Sequence, residues 1–234
     1  MKISIASLIY KSPVYGEFLL NSVQNNTPEE LVEELFFIGN NPTEEVKTWL
    51  KKKKVKHYIW ETEQQPAYPQ NIGYIYKAWN MAIDKATSDL IVLINSDMWV
   101  GPHWLENLLK RLDKNKIVSS LLVESGKIPS LLPHTVVKNF GRKSSEWNMQ
   151  KFESFAELLK EDTEQPYGAY MPFLTYKENL IKAKGYPPGN LQLPTGQILS
   201  GDHILFYNLD QLGIKHITSF DSIVYHVQGG EVDE

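Results

Sequence analysis

The first half of the chain alternates short apolar runs with segments whose apolar residues recur at helical spacing. Apolar runs at 3–9, 34–38, 55–60 and 90–94 predict strands, and the segments 16–25, 43–50, 72–86 and 102–109 predict helices. This alternation predicts an α/β fold with a mostly parallel central sheet flanked by helices. Such sheets bind ligands at the carboxyl ends of their strands, so the loops after Ile9, Ile38 and Ile94 are the first candidates for a site.

Residue types at the helix ends support these boundaries. Thr43 suits the N-cap of the second helix. Pro102 suits the first turn of the fourth. Gly213 suits the left-handed position after the last predicted helix.

The second half of the chain is less regular. Runs at 117–123, 167–173, 215–218 and 222–226 predict strands, and 152–159, 176–184 and 202–212 predict helices. Segment 124–150 has no clear period and predicts an excursion over the site, segment 186–196 predicts a loop, and 229–234 predicts a loose acidic tail. We therefore expect one domain over 1–234, with a nucleotide-type half at 1–115, a substrate-type half at 116–228 and the tail after it.

Composition excludes several classes of chemistry. The 234 residues include no cysteine, which excludes disulfides, zinc–thiolate sites, iron–sulfur clusters and a cysteine nucleophile. The formal charge is −4, which disfavours nucleic acid as a partner. No apolar stretch reaches the ~20 residues of a membrane helix, and no targeting signal is visible. We expect a cytoplasmic protein without a transmembrane segment; its oligomeric state, including a homo-oligomer, stays open.

Three polar positions are candidates for chemistry. Asp97, in the tripeptide Asn95-Ser96-Asp97, follows the most apolar strand, where a carboxylate needs a partner or a cation such as Mg²⁺ or Mn²⁺. A plain turn explains the same residues. Asp202 is either a helix cap or a general base at the mouth of a site. His226, near the end of the last strand, is either structural or a metal ligand beside a carboxylate.

Two further groups are more ambiguous. Gly73 would let a backbone approach a ligand closely, and Lys77 suits a phosphate, but an amphipathic helix with solvated polar positions explains both. Tyr170 belongs to an aromatic-rich region that suits sugar rings or, equally, a core.

Taken in order over residues 3 to 228, these motifs resemble an inverting family 2 glycosyltransferase of the GT-A fold. Segment 3–10 with Pro13 resembles the opening strand and donor loop, and 37–44 resembles the second strand and its turn. Asn71-x-Gly73 followed by Asn80 resembles the family's N-x-G…N helix, and the spacing from Asn80 to Asp97 resembles the approach to its D-x-D motif. Segment 99–109 resembles the helix that follows.

The late motifs complete the resemblance, with three departures. Gly201-Asp202-His203 with Gly213 resembles the E-D-x-D…G motif, and His226 falls where some members place a metal-binding histidine. Gly39 replaces the first acid of the second-strand turn, which passes base recognition to Asn40 or Asn41. Asn95 replaces the first acid of D-x-D, and Gly201 replaces the glutamate beside Asp202.

The resemblance implies metal-assisted transfer of a sugar, with inversion, from a nucleotide-diphosphate sugar (preferably a UDP-sugar) to an acceptor hydroxyl. It implies Asp202 as catalytic base, and Asp97 and His226 as ligands of Mn²⁺ or Mg²⁺. The implied donor-binding residues are Ser7, Tyr10, Pro13, Asn40, Asn41, Asn71, Gly73, Lys77, Asn95 and Ser96; the implied acceptor-binding residues are Tyr170, Gly201 and His203. The alternative is a catalytically weakened domain that binds nucleotide sugars or glycans as a module. A sugar-nucleotide pyrophosphorylase is disfavoured because 12–16 poorly matches its Gly-rich loop.

Overall fold

The computed structural model describes residues 2–62, 72–130, 132–229 and 231. Strands and helices alternate through the first half as predicted, in the order β1 (Ile3–Ile9), α1 (Pro13–Asn26), β2 (Val32–Asn40), α2 (Glu44–Lys53), β3 (Lys56–Trp60), α3 (Ile72–Lys85) and β4 (Leu90–Leu93). These four strands are parallel and lie in the order β3-β2-β1-β4. Their carboxyl ends therefore meet at one edge of the sheet.

The helix boundaries follow from local backbone chemistry. α1 begins at Pro13, three residues earlier than predicted, because proline is preorganised for the first helical position. The Thr43 hydroxyl accepts a hydrogen bond from the Val46 amide, which confirms the predicted N-cap of α2. The prediction for Pro102 was wrong. The fourth helix, α4 (Trp104–Arg111), begins after it, because His103 has a left-handed φ of 61°.

The remaining elements complete the chain. They are β5 (Met98–Val100), β6 (Lys116–Glu124), β7 (Thr135–Val137), α5 (Met149–Leu159), β8 (Glu164–Pro166), β9 (Phe173–Tyr176), α6 (Lys177–Lys182), β10 (Leu191–Gln192), β11 (Ile198–Leu199), α7 (Gly201–Gln211) and β12 (Lys215–His226). Segment 124–150 contains the short strand β7, and β10 and β11 form a small hairpin within and just after the predicted loop 186–196.

The central sheet is mixed rather than wholly parallel. Its main path runs β3-β2-β1-β4-β9-β6-β12-β5, with β9 antiparallel to both β4 and β6 and with β5 antiparallel to β12. Strand β9 begins only at Phe173, later than the predicted strand 167–173, because Tyr167 and Gly168 have positive φ angles of 66° and 141°. The two strands predicted at 215–226 are the single strand β12, whose register with β6 shifts between Ser219 and Ile223.

The core lies on both faces of this sheet. Strand β4 is completely buried, and so are its neighbours Ile5 and Ala6 on β1. A second cluster, which includes Phe152 and Tyr225, packs where α5 covers β12. Burial on both faces explains the near-continuous apolar run of β4. Within the described ranges, no helix combines the length and apolar content needed to cross a membrane.

Candidate active site

A cavity of about 320 Å³ opens at the carboxyl ends of β1, β2 and β4. Its walls include six of the predicted site residues: Tyr10, Asn40, Asn41, Asn95, Ser96 and Asp97. They come together because parallel strands end at the same edge. The rings of Tyr74 and Trp79 on α3 supply apolar surface opposite them.

A second cavity, of about 250 Å³, adjoins the first. The two share Ile75, Trp79 and Asn95 as walls. The second cavity brings together Asp202, His226 and Tyr170, which lie on elements far apart in the sequence. A ligand in the first cavity would therefore lie beside the cavity that contains Asp202.

Asp97 is positioned by the turn between β4 and β5. Its backbone oxygen accepts a hydrogen bond from the Val227 amide at 3.0 Å, which fixes this turn to the end of β12. The turn interpretation of Asn95-Ser96-Asp97 therefore describes the backbone correctly. It does not exclude a chemical role, because Asp97 lines the first cavity.

The end of β12 brings His226 between two carboxylates. In the sheet, His226 pairs with Met98 of β5 on one side and with Glu124 of β6 on the other. Its Nε2 lies 3.3 Å from Asp97 Oδ2, and its Nδ1 lies 3.6 Å from Glu124 Oε1. Burial alone would lower the pKa of His226, but the charges of Asp97 and Glu124 raise that pKa to about 9.

These side chains have the donor chemistry that Mg²⁺ or Mn²⁺ requires. Asp97 offers carboxylate oxygen, and His226 would offer an imidazole nitrogen once a cation displaces its proton, because only the neutral ring is a metal ligand. His226 Nδ1 and Glu124 Oε2 are buried without a hydrogen-bond partner among the described residues, and the 3.6 Å from Nδ1 to Glu124 Oε1 places the ring N–H beside that carboxylate. A metal-binding histidine commonly donates to a carboxylate in this way. In the described ranges no three or more His, Asp or Glu side chains are grouped to hold a metal, so other ligands would come from substrate or water.

Asp202 lies in the first turn of α7, and Ser200 is the N-cap. The Ser200 side chain accepts from the His203 amide at 3.3 Å, so the Asp202 carboxylate is not required for capping. Burial raises the pKa of Asp202, and its own backbone amide, the nearby His203 and, least, the Tyr76 hydroxyl only partly offset that effect. A carboxylate of raised pKa in a cavity is suited to accept a proton.

Residues 9–163, two thirds of the chain, match the sequence profile described as Glycosyl transferase family 2. The chain belongs to glycosyl transferase family 2. A search of curated proteins finds no match for this family 2 chain.

Two solved structures share the GT-A fold of this family 2 chain. One is GalNAc-T7 crystallised with UDP, GalNAc and Mn²⁺, with a TM-score of 0.63 and 16% identity over 97% of this chain and 44% of that one. The other is S. aureus TarS 1–349, with a TM-score of 0.61 and 14% identity over 97% of this chain and 60% of that one. The family 2 chain thus spans about half the length of these structures.

Several predicted site residues of the family 2 chain lie outside both cavities. Ser7 is buried in β1, and Lys77 is exposed with its ammonium 5.5 Å from the centre of the Tyr74 ring. His203 is exposed, with its ring centre 5.1 Å from that of Tyr170. Pro13 lines a separate groove of about 390 Å³ with three tryptophans.

Two glycines that were predicted to bind ligands pack against other parts of the protein instead. A Cβ at Gly73 would lie 2.4 Å from the Pro188 carbonyl oxygen, and one at Gly201 would lie 2.3 Å from the Tyr76 ring. Both positions therefore need glycine for close packing. Asn71, also predicted as donor-binding, lies outside the described residues.

The sequence interpretation missed three residues of the site. Glu124 ends β6 and could have been found by the strand-end argument applied to Asp97. Tyr76 faces the second cavity from a predicted helix, but its spacing resembled that of core residues. Glu231, assigned to a loose tail, lines the first cavity instead. No local pattern marks such a contact.

Proposed function

We propose that this domain transfers a sugar from a nucleotide-diphosphate sugar to an acceptor hydroxyl, with inversion and with the help of a divalent cation. The observation that carries the proposal is the joining of two cavities, one lined by Asp97 and the other by Asp202 and His226. One cavity would hold the nucleotide and the other the acceptor. Membership of family 2 supports the same reaction.

The donor would bind along the strand ends. Asn40 and Asn41 carry amide groups that suit the hydrogen-bonding edge of a base, and the Tyr10 ring offers a face for stacking. Asn95 forms part of the wall between the cavities, where the sugar would lie. We propose a uridine nucleotide because GalNAc-T7, of the same fold, was crystallised with UDP.

The cation would be held by Asp97 and His226, with Glu124 orienting the imidazole. It would supply positive charge that stabilises a leaving diphosphate. We propose Mn²⁺ or Mg²⁺, and the Mn²⁺ in the GalNAc-T7 crystals supports the first.

Asp202 would accept the proton of the acceptor hydroxyl. The acceptor oxygen then bonds to the anomeric carbon as the bond to the diphosphate breaks, and the nucleoside diphosphate leaves. One displacement needs one base and inverts the anomeric centre. Tyr170, in the same cavity, offers a ring face to the acceptor sugar. Gly201 and His203 would shape the acceptor-binding cavity only indirectly.

Nucleotide sugars incubated with the chain and Mn²⁺ test the proposal. We expect donor hydrolysis or transfer that is lost in Asp97→Ala and on chelation of the metal. We also expect chelation to weaken UDP binding in calorimetry. Tight nucleotide binding without turnover of any donor, under acceptor screening, would instead favour a binding module, the reading suggested by the single acids at positions 97 and 202.

A further inference from the structure

The carboxylate of Glu231 lines the first cavity. Its Oε2 accepts hydrogen bonds from the backbone amides of Tyr10, Lys11 and Ser12 at 2.8, 2.7 and 3.3 Å. Its Oε1 accepts a hydrogen bond from the Ser96 hydroxyl. Four donors therefore converge on one side chain. In the sequence, this side chain lies more than 200 positions after the three amides that it binds.

The chain is anchored just before this contact. The Gln228 side chain accepts from the Lys127 amide at 3.0 Å and donates to the Ile128 carbonyl at 2.9 Å. Gln228 and Gly229 both have left-handed φ angles, 68° and 70°, which turn the chain away from the direction of β12. The buried Gln228 side chain thus has hydrogen bonds of its own that do not involve Glu231.

The position of Glu231 conflicts with a bound nucleotide. The cavity that includes Glu231 as a wall measures about 320 Å³, at the small end of the range of about 300–1,000 Å³ for ligand sites. None of the described residues lining it is a lysine or arginine. A diphosphate brought beside Asp97 would share this cavity with a second carboxylate.

The donors that Glu231 uses are also those that an incoming ligand would need. Three backbone N–H groups leading into α1 and one hydroxyl form a concave set that suits an anionic or strongly accepting group. Glu231 satisfies all four. A ligand therefore has to break these hydrogen bonds before it can make its own.

We propose that Glu231 is an intramolecular competitor of the nucleotide, an autoinhibitory contact that opens before the donor binds. This inference rests on the proposed function of the same cavity. It assigns to residue 231 a regulatory role, distinct from that of Asp97 or Asp202. Removing the carboxylate should strengthen nucleotide binding, whereas removing a ligand-binding group would weaken it.

Calorimetry with UDP and Mn²⁺ on the full chain tests the competition. We expect Glu231→Ala to bind UDP at least about tenfold more tightly than the original chain, a gain of about 1.4 kcal/mol. We expect Glu231→Gln, which keeps the shape but loses the charge, to bind with intermediate affinity. The control is Glu178→Ala, which removes an exposed carboxylate paired with Lys182 on α6 and should leave UDP affinity unchanged.

Hydrogen exchange of the Tyr10, Lys11 and Ser12 amides gives a readout that needs no nucleotide. We expect these amides to exchange at least about tenfold faster in Glu231→Ala, because they lose their acceptor. Unchanged exchange would overturn the inference. If the original chain binds UDP and Glu231→Ala binds it equally or more weakly, the inference alone fails. If neither chain binds any nucleoside diphosphate, the proposed function fails and the inference with it.

Discussion

His226 Nε2 lies 3.3 Å from Asp97 Oδ2, so two residues 129 positions apart in the sequence form one polar pair at the end of the sheet. The other nitrogen of the same ring faces Glu124, at 3.6 Å. The pair exists because β5 and β6 flank β12 on opposite sides. The ring is thus held between an acid that faces the cavity and an acid that is almost completely buried.

Glu124→Gln should weaken metal binding although Glu124 is not itself a ligand in our proposal. The amide keeps an acceptor near His226 Nδ1 but removes the charge that favours a well-oriented, basic imidazole. We expect Mn²⁺ affinity, measured in the presence of UDP by the electron paramagnetic resonance signal of free Mn²⁺, to fall by about 10–100-fold.

A surface pair provides the control for this variant. His103 Nδ1 lies 3.1 Å from Glu106 Oε1, and His103 is largely exposed. Glu106→Gln removes the same charge from the same kind of pair and should leave Mn²⁺ affinity unchanged. Equal Mn²⁺ affinity for Glu124→Gln and the original chain would contradict the orienting role of Glu124.

Asp202→Asn should remove turnover while leaving donor binding nearly intact. The amide cannot accept the hydroxyl proton, and a positioned base contributes about 10²–10⁴-fold to rate. We expect a loss of that size in kcat, with the affinity for UDP within about twofold because Asp202 lies in the second cavity. Asp210→Asn, an exposed acid on the same helix, is the matched control. Turnover equal to that of the control would remove Asp202 from the reaction.

Tyr76→Phe should shift the pH dependence of the reaction. Burial raises the pKa of Asp202, and the Tyr76 hydroxyl is the smallest of three groups that lower it, after the backbone amide and His203, so loss of the hydroxyl should raise that pKa slightly further. Because the base must be deprotonated, kcat/KM falls as the pH drops through this pKa. We expect the acidic limb of the kcat/KM profile to move to higher pH in Tyr76→Phe.

The same variant also removes two hydrogen bonds of the hydroxyl, to Asn190 and from the Gly201 amide, so stability alone would not identify its role. The pH profile does so, because a purely structural residue would lower the rate equally at each pH. Tyr207→Phe on α7 is the control, since Tyr207 is exposed. If the acidic limbs of the kcat/KM profiles are identical for Tyr76→Phe and the control, Tyr76 does not influence the pKa of Asp202.

The strand-end argument explains which parts of the site the sequence predicted. Asp97 follows β4, whose apolar run is unmistakable because the strand is buried on both faces. Asp202 and His226 were reached through the resemblance and through their positions at a helix start and a strand end. The cavities bring these three residues to one site, although their chemical roles stay predictions.

Long-range order explains what the sequence did not predict. Strand β9 inserts between β4 and β6 with reversed direction, and this insertion fixes where β12 and His226 lie relative to Asp97. Local periodicity carries no information about such an order. The contact between Glu231 and the Tyr10 amide spans 221 positions of the sequence and depends entirely on this long-range order of the strands.

Glu34 should make the stability of the fold depend on pH at the opposite end of the sheet. Its carboxylate accepts from the Ser4 hydroxyl at 2.7 Å and from the amide and hydroxyl of Thr87 at 2.7 and 2.8 Å, and it pairs with Lys56. Burial alone would raise the pKa of Glu34, but these contacts lower it from 4.5 to about 2. The ionised Glu34 carboxylate is therefore more stable in the folded chain than in the unfolded one.

The sign follows from linkage. The contribution is complete above the unfolded pKa near 4.5 and is lost as the pH falls towards about 2. A difference of this size corresponds to at most about 3 kcal/mol of unfolding free energy, and to less where solvent screens the pair with the exposed Lys56. Glu34→Gln cannot titrate, so we expect its unfolding free energy, from urea titrations followed by circular dichroism, to fall less steeply over this range. Glu33→Gln, an exposed neighbour on β2, should keep the original slope. Parallel curves for Glu34→Gln and the original chain would show that Glu34 does not carry the acid sensitivity.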